Sequence, residues 1–162
     1  MMSTRPVFAA AALLVLVAGC SVPDDDVRRI VREELEAAPA KEFFTPGTVI
    51  GPYSPAVRSG RFLFVSGQIA LHPESGQLVN DNIEAETRQV LENLSRVLRA
   101  AGYDSSHVLS ATVYLKNMND YARVNAVYGG YFPEGRYPAR VAVEVSNLPL
   151  QANVEIAVIA SK

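Results

Sequence analysis

The stretch NIEAETRQVLENLSRVLRAAG, residues 82–102, decides the architecture. Ile83, Val90, Leu91, Leu94, Val97 and Leu98 recur on one helical face, and Asn82 or Asp81 can cap the start. Gly102 ends the segment. A helix with one apolar stripe needs a surface to bury it against, and the flanking sequence supplies strands. Upstream, RFLFVS (61–66) reads as a strand, Val57 lies on a strand before it, and Gly60 marks the hairpin turn between them. Residues 72–82 form a turn-rich loop. Downstream, VLSATVYL (108–115) is a strand, and residues 119–132 form a second helix weakened by Gly129 and Gly130 and stopped by Pro133. Residues 140–145 and 154–160 are two further strands. The order β-β-α-β-α-β-β predicts a two-layer α+β domain, a mixed β-sheet with both helices on one face. Strict alternation along 108–115 puts Val108, Ser110, Thr112 and Tyr114 on the uncovered face and Leu109, Ala111, Val113 and Leu115 under the helices. An uncovered face of small, weakly polar side chains suits contact with another copy of the chain, so an oligomer is expected.

Composition narrows the function. Of 162 residues, 49% are hydrophobic and 20% charged, enough for one core, and the formal net charge is −2. No run of Lys or Arg forms the basic patch that nucleic-acid binding needs, so no nucleic-acid partner is expected. Cys20 is the only cysteine, which excludes an intramolecular disulfide. His72 precedes Pro73 and His107 sits just ahead of a strand, both in loops and neither near other ligand types in sequence. No metal site is expected.

The first residues read as an address. Arg5 precedes an apolar run from Val7 to Ala18, too short for a bilayer span and of the length of a signal-peptide core. It ends in Leu16-Val17-Ala18-Gly19-Cys20, which resembles a bacterial lipoprotein signal. That resemblance implies a signal peptide over 1–19, a lipidated Cys20, export, and a lipid anchor to the cell envelope. Ser21, not Asp, follows the cysteine, so the outer membrane, facing the periplasm, is the expected destination in a Gram-negative cell. Residues 20–41 then hold the lipidated cysteine, a short amphipathic helix over 27–37 with Val27, Ile30, Val31 and Leu35 on one side, and a linker. The domain proper is expected over 42–162.

Arg140 draws attention within that domain. It stands at the mouth of the apolar strand Val141-Ala142-Val143-Glu144-Val145, and a guanidinium there can grip a carboxylate through two parallel hydrogen bonds. A surface ion pair is the other reading.

Four stretches resemble one family: Ile50-Gly51-Pro52-Tyr53-Ser54-Pro55, Val65-Ser66-Gly67-Gln68-Ile69, Val124-Asn125-Ala126-Val127-Tyr128 and Tyr137-Pro138-Ala139-Arg140-Val141-Ala142-Val143-Glu144-Val145. Together they resemble the Rid family of reactive-intermediate (enamine/imine) deaminases, across the whole domain. The resemblance implies a chorismate-mutase-like fold, a homotrimer with clefts between subunits, no cofactor, and hydrolysis of small 2-imino acids to 2-oxo acids and ammonia. It implies that Arg140 binds the substrate carboxylate, that the Tyr53 hydroxyl faces the cleft, and that Ser66 and Gly67 line it. Asn125 matches an asparagine expected to support neighbouring backbone.

The pattern also departs from the family. Aligned on the last strand, the position of the glutamate that orients the attacking water falls on Ala157, and Ala142 replaces a frequent cysteine. Glu155, on the same face two residues earlier, is the stand-in considered for the catalytic carboxylate, with Glu144 another. The expected function is 2-imino acid deamination; the alternative is a membrane-anchored trimer that binds a carboxylate metabolite without turnover.

Overall fold

This computed structural model describes residues 25–29, 40–47 and 49–162. The chain separates into two units, Met1–Pro39 and Ala40–Lys162. In the first, residues 25–29 are helical and Arg29 pairs with Asp26 at 3.2 Å. The signal segment 1–19, Cys20 and most of the helix expected over 27–37 lie outside the described residues. Among the described residues, no helix is long and apolar enough to cross a membrane.

The second unit carries one six-stranded sheet in the order β1-β2-β3-β6-β4-β5, with β1 at Lys41–Phe44, β2 at Ala56–Ser59, β3 at Phe62–Gln68, β4 at Val108–Leu115, β5 at Ala139–Glu144 and β6 at Val154–Ser161. The neighbours are antiparallel except β4 and β5, which run parallel because helix α2 (Tyr121–Gly129) crosses between them. Helix α1 (Ile83–Ala100) joins β3 to β4. Asn82 caps α1, its side chain accepting from the Ala85 amide at 2.9 Å, an interaction of about 1 kcal/mol. Past its end, Gly102 takes φ 80° and Gly60 turns the β2–β3 hairpin at φ 57°, both in the left-handed region that glycine enters without strain.

One core lies between the helices and one sheet face. Val90, Leu94 and Leu98 of α1 and Val124 and Tyr128 of α2 meet Leu63, Val65, Ala111, Val113, Leu115, Ile156 and Val158 of the sheet. The opposite face stays open and apolar, with Phe43, Phe62, Phe64, Leu109, Val141, Val143 and Ile159 all exposed.

Three sequence readings are corrected. Lys41–Phe44 is a strand where the sequence reading ended the linker at 41 and placed no strand; it is an edge strand whose Glu42 pairs with Arg58 and whose Phe44 lies under the Arg58 guanidinium at 5.4 Å. In β4, Val108 is buried and Leu109 is 51% exposed, the reverse of the alternation. Val108 pairs with Ala160 and Ser110 with Ile159, so Leu109 is the extra residue of a bulge that resets the period. The second helix begins at Tyr121 rather than 119, behind a 3-10 turn at Met118–Asp120, and ends at Gly129.

Candidate functional site

A second bulge builds a cavity on the open face. In β3, Val65 pairs with Val158 and Gln68 with Ile156, so Ser66 and Gly67 together stand opposite Ala157. The Gln68 side chain fastens this kink by donating to the carbonyls of Ser66 (3.0 Å) and Gly67 (3.3 Å). Ser66 donates its hydroxyl to the Ser54 carbonyl at 2.8 Å, and its amide to the Pro55 carbonyl at 3.0 Å. Its hydroxyl therefore ties the Tyr53 loop to β3. The result is a cavity of about 190 Å³ lined by Ile50, Tyr53, Ser66, Gly67, Ile69, Pro149 and Glu155.

Glu155 supplies the charge. It lies on the open face, paired in register with Tyr114. A Cβ on Gly67 would sit 1.7 Å from Glu155 Oε1 and 2.6 Å from its Cδ. The carboxylate thus rests directly on the glycine backbone and occupies the space a side chain would fill. Among the described residues nothing donates a hydrogen bond to it, and burial holds its carboxyl above the ordinary carboxylate value. A desolvated, unpaired carboxylate of raised pKa can take a proton from water.

The start of β6 is held from the helix side. Glu86 of α1 is fully buried and accepts from the Asn153 amide (2.6 Å) and the Asn153 side-chain nitrogen (2.8 Å). These two bonds compensate a carboxylate that would otherwise be costly to bury. They fix the residue two places before Glu155. The preceding turn at Pro149–Gln151 takes left-handed backbone at Leu150 (φ 55°) and Gln151 (φ 64°), beside the cavity wall at Pro149.

Arg140 lies elsewhere. Its partner in register is Ala111, a core residue, so its side chain turns to the helix face. Its Nη1 donates to Asn125 Oδ1 at 2.7 Å and its Nη2 to the Tyr121 hydroxyl at 3.1 Å. Its guanidinium lies 4.7 Å from the Tyr128 ring centroid and 5.6 Å from that of Tyr121, within cation–π range. Asn125, expected to brace backbone, holds this guanidinium instead.

Tyr53, Ser66, Gly67 and Glu155 are therefore brought together, and Arg140 with Asn125 forms a second cluster on the other sheet face of the same chain. Ala157, where the sequence alignment put the water-orienting carboxylate, is not in the cavity wall; Glu155 is. Glu144, the other stand-in, accepts from the Met118 amide at 2.7 Å and caps the turn before α2. Neither histidine lines the cavity with Glu155: His107 pairs with Asp104 at 2.9 Å in a capping box, and His72, whose ring accepts from the Glu74 and Ser75 amides, lines an adjoining cavity that shares Ile50, Tyr53, Gly67 and Ile69. Among the described residues, no group of three His, Cys, Asp or Glu could hold a metal ion. Sequence reading missed Tyr121, Tyr128 and Glu86. For Tyr121 and Tyr128 a signal was present: with Asn125 they recur at i, i+4 and i+7, one face of α2.

The sequence profile of the family described as endoribonuclease L-PSP matches residues 45–162. A RutC family protein of Pyrococcus horikoshii is 54% identical over 113 residues, covering 70% of this chain and 89% of the relative. The mouse 2-iminobutanoate/2-iminopropanoate deaminase is 48% identical over 111 residues, covering 68% of this chain and 82% of that protein. Among solved structures, a Rid family protein from Yersinia pestis, of unknown function, superposes with a TM-score of 0.72 at 42% identity, covering 76% of this chain and all of that one. With the bulged β3, the Arg140 strand and the two-layer fold in place, the chain belongs to the Rid/YjgF (L-PSP) family.

Proposed function

We propose that this protein hydrolyses small 2-imino acids to 2-oxo acids and ammonia, in clefts formed between copies of the chain. The observation that carries this reading is Glu155, a desolvated and unpaired carboxylate packed on Gly67 inside a small cavity. Arg140 of a neighbouring copy grips the substrate carboxylate. Glu155 takes a proton from a water, whose oxygen attacks the imine carbon. Glu155 returns that proton to the nitrogen, giving a carbinolamine, which collapses as its hydroxyl proton passes to the nitrogen: ammonia leaves and a 2-oxo acid remains. Both bonds to nitrogen break, one carbon–oxygen double bond forms, and no oxidant is consumed.

Association of copies follows from the exposed apolar face, and a trimer from the family resemblance. Arg140 and Glu155 face opposite sides of one sheet, so a site using both draws them from different chains. The family profile's endoribonuclease description fits this chain less well, because a polyanion would meet a domain with no net positive charge and a carboxylate in the cavity. The non-catalytic binder rested on Ala157 replacing the carboxylate; Glu155 in the cavity supports the catalytic reading over it. In the same reading the domain is exported and anchored through acylated Cys20; Cys20→Ala moving the protein from the membrane to the soluble fraction tests this, and an unchanged distribution refutes it.

The function is tested by complementation. Arg140→Ala and Glu155→Gln are each expected to lower 2-iminobutanoate hydrolysis at least a hundredfold, measured by semicarbazide competition. Unfolding the two together and refolding them as a mixture is expected to restore about a quarter of wild-type activity, because a random mixture gives that share of clefts both intact residues. No recovery would place both groups in one chain. Wild-type protein that leaves semicarbazide trapping unchanged ends the deaminase reading.

A further inference from the structure

Tyr121 is the residue around Arg140 whose chemistry is not yet accounted for. It opens α2, is 40% exposed, and lies in the open rather than in the core. Its hydroxyl accepts from Arg140 Nη2 and its ring edges the same guanidinium. A guanidinium has five N–H donors in a planar fork. Asn125 takes one from Nη1 and Tyr121 one from Nη2. Three N–H donors remain, one each on Nε, Nη1 and Nη2, enough for the two-point grip a carboxylate offers.

We propose that Tyr121 is a positioning residue for Arg140: as a phenol it turns the free edge of the fork toward the substrate carboxylate, and as a phenolate it takes the fork's charge for itself. This rests on the reading of Arg140 as the carboxylate clamp. The surroundings support the second half. The hydrogen bond with Asn125, and then the charge of Arg140, hold the Tyr121 hydroxyl below the ordinary phenol value. The other groups around it do not compete for that role. Arg123 on the same helix is engaged by Glu84 of α1 and by Asp120. Tyr128, the second aromatic on Arg140, is pushed up to about 12 by burial and stays neutral where Tyr121 ionises. Ionisation of Tyr121 turns the net charge of the clamp from positive to zero and sets a second anion where a carboxylate would approach.

The test is calorimetric binding of 2-oxobutanoate to the full chain between pH 7 and 10.5. Tyr121→Phe keeps the ring and is expected to weaken binding about fivefold at pH 7, the loss of one orienting hydrogen bond, while kcat for 2-iminobutanoate changes less than twofold. Wild-type affinity is expected to fall at least tenfold on the alkaline side, beginning below pH 10, and Tyr121→Phe to remove that fall. Tyr53→Phe, at the cavity, is expected to keep it. If Arg140→Ala abolishes binding but Tyr121→Phe matches wild type at every pH, the proposal is overturned and the clamp reading stands. If Arg140→Ala leaves binding unchanged, both are overturned.

Discussion

The two halves of the site are built on opposite principles. Arg140 is saturated with positioning contacts: two hydrogen bonds and two aromatic rings fix it before any ligand arrives, while three of its five N–H donors stay free for one. Glu155 is starved: among the described residues no donor satisfies its carboxylate, which lies against the backbone of a glycine. Each arrangement suits its part. A group that recognises a carboxylate gains from being oriented in advance, since less freedom is lost on binding. A group that must exchange a proton with water gains from being desolvated and left unpaired. The contrast also explains why association matters here. The saturated half needs the helix layer to supply its partners, and the starved half needs the open face, so one protomer carries both without joining them.

The starved half is the easier to break. Gly67→Ala places a methyl group where Glu155 Oε1 now lies. The glutamate side chain is flexible and can swing aside, so the fold is expected to survive with Tm within a few degrees. Activity is expected to fall about 10- to 100-fold, the cost of misplacing a group that acts on water. 2-Oxobutanoate binding at Arg140 is expected to change less than threefold. The pH profile gives a second reading of the same change. Glu155 has a raised pKa and must be ionised to act, so wild-type activity is lost as pH falls through that raised value. The displaced, rehydrated carboxylate of Gly67→Ala titrates closer to the ordinary carboxylate value, and its residual activity should persist to lower pH. Equal losses of turnover and of binding would deny that the halves are separable.

The sequence told these halves apart unevenly. The two helices and five of the six strands were legible, because helical periodicity and short apolar runs are local signals; Tyr53, Ser66 and Gly67 were singled out only through the family resemblance, and Arg140 by its place at a strand mouth. The bulges were not. An extra residue at Leu109 or at Ser66-Gly67 leaves no mark in composition, yet each shifts everything beyond it by one place. Counting along the last strand pointed to Ala157, whereas the bulge in β3 sets Gly67 beneath Glu155. β1 escaped notice because its four residues, Lys41-Glu42-Phe43-Phe44, are too few for a pattern and are held by a distant ion pair with Arg58. Glu86 read as one more acid on a polar helix face; its partner, Asn153, is 67 residues away. Long-range pairing of this kind is set by tertiary structure and has no local signature.

The saturated half has one loose end, and it gives the smallest predicted effect. The Tyr128 hydroxyl is buried and has no hydrogen-bond partner among the described residues, although its ring supports Arg140 at 4.7 Å. A buried hydroxyl without a partner costs about 1–3 kcal/mol in desolvation. Tyr128→Phe removes that cost and keeps the aromatic face, so it is expected to stabilise the fold by about 1 kcal/mol, read as a higher urea midpoint at unchanged slope. Affinity for 2-oxobutanoate should hold within twofold, because the cation–π contact depends on the ring. Tyr128→Leu keeps the burial and removes the ring. It should weaken binding about threefold or more while Glu155-dependent turnover of bound substrate persists. If Tyr128→Phe instead destabilises the protein, the hydroxyl has a partner in the assembled form, and the saturated half extends one residue deeper into the core than Arg140, Asn125 and Tyr121.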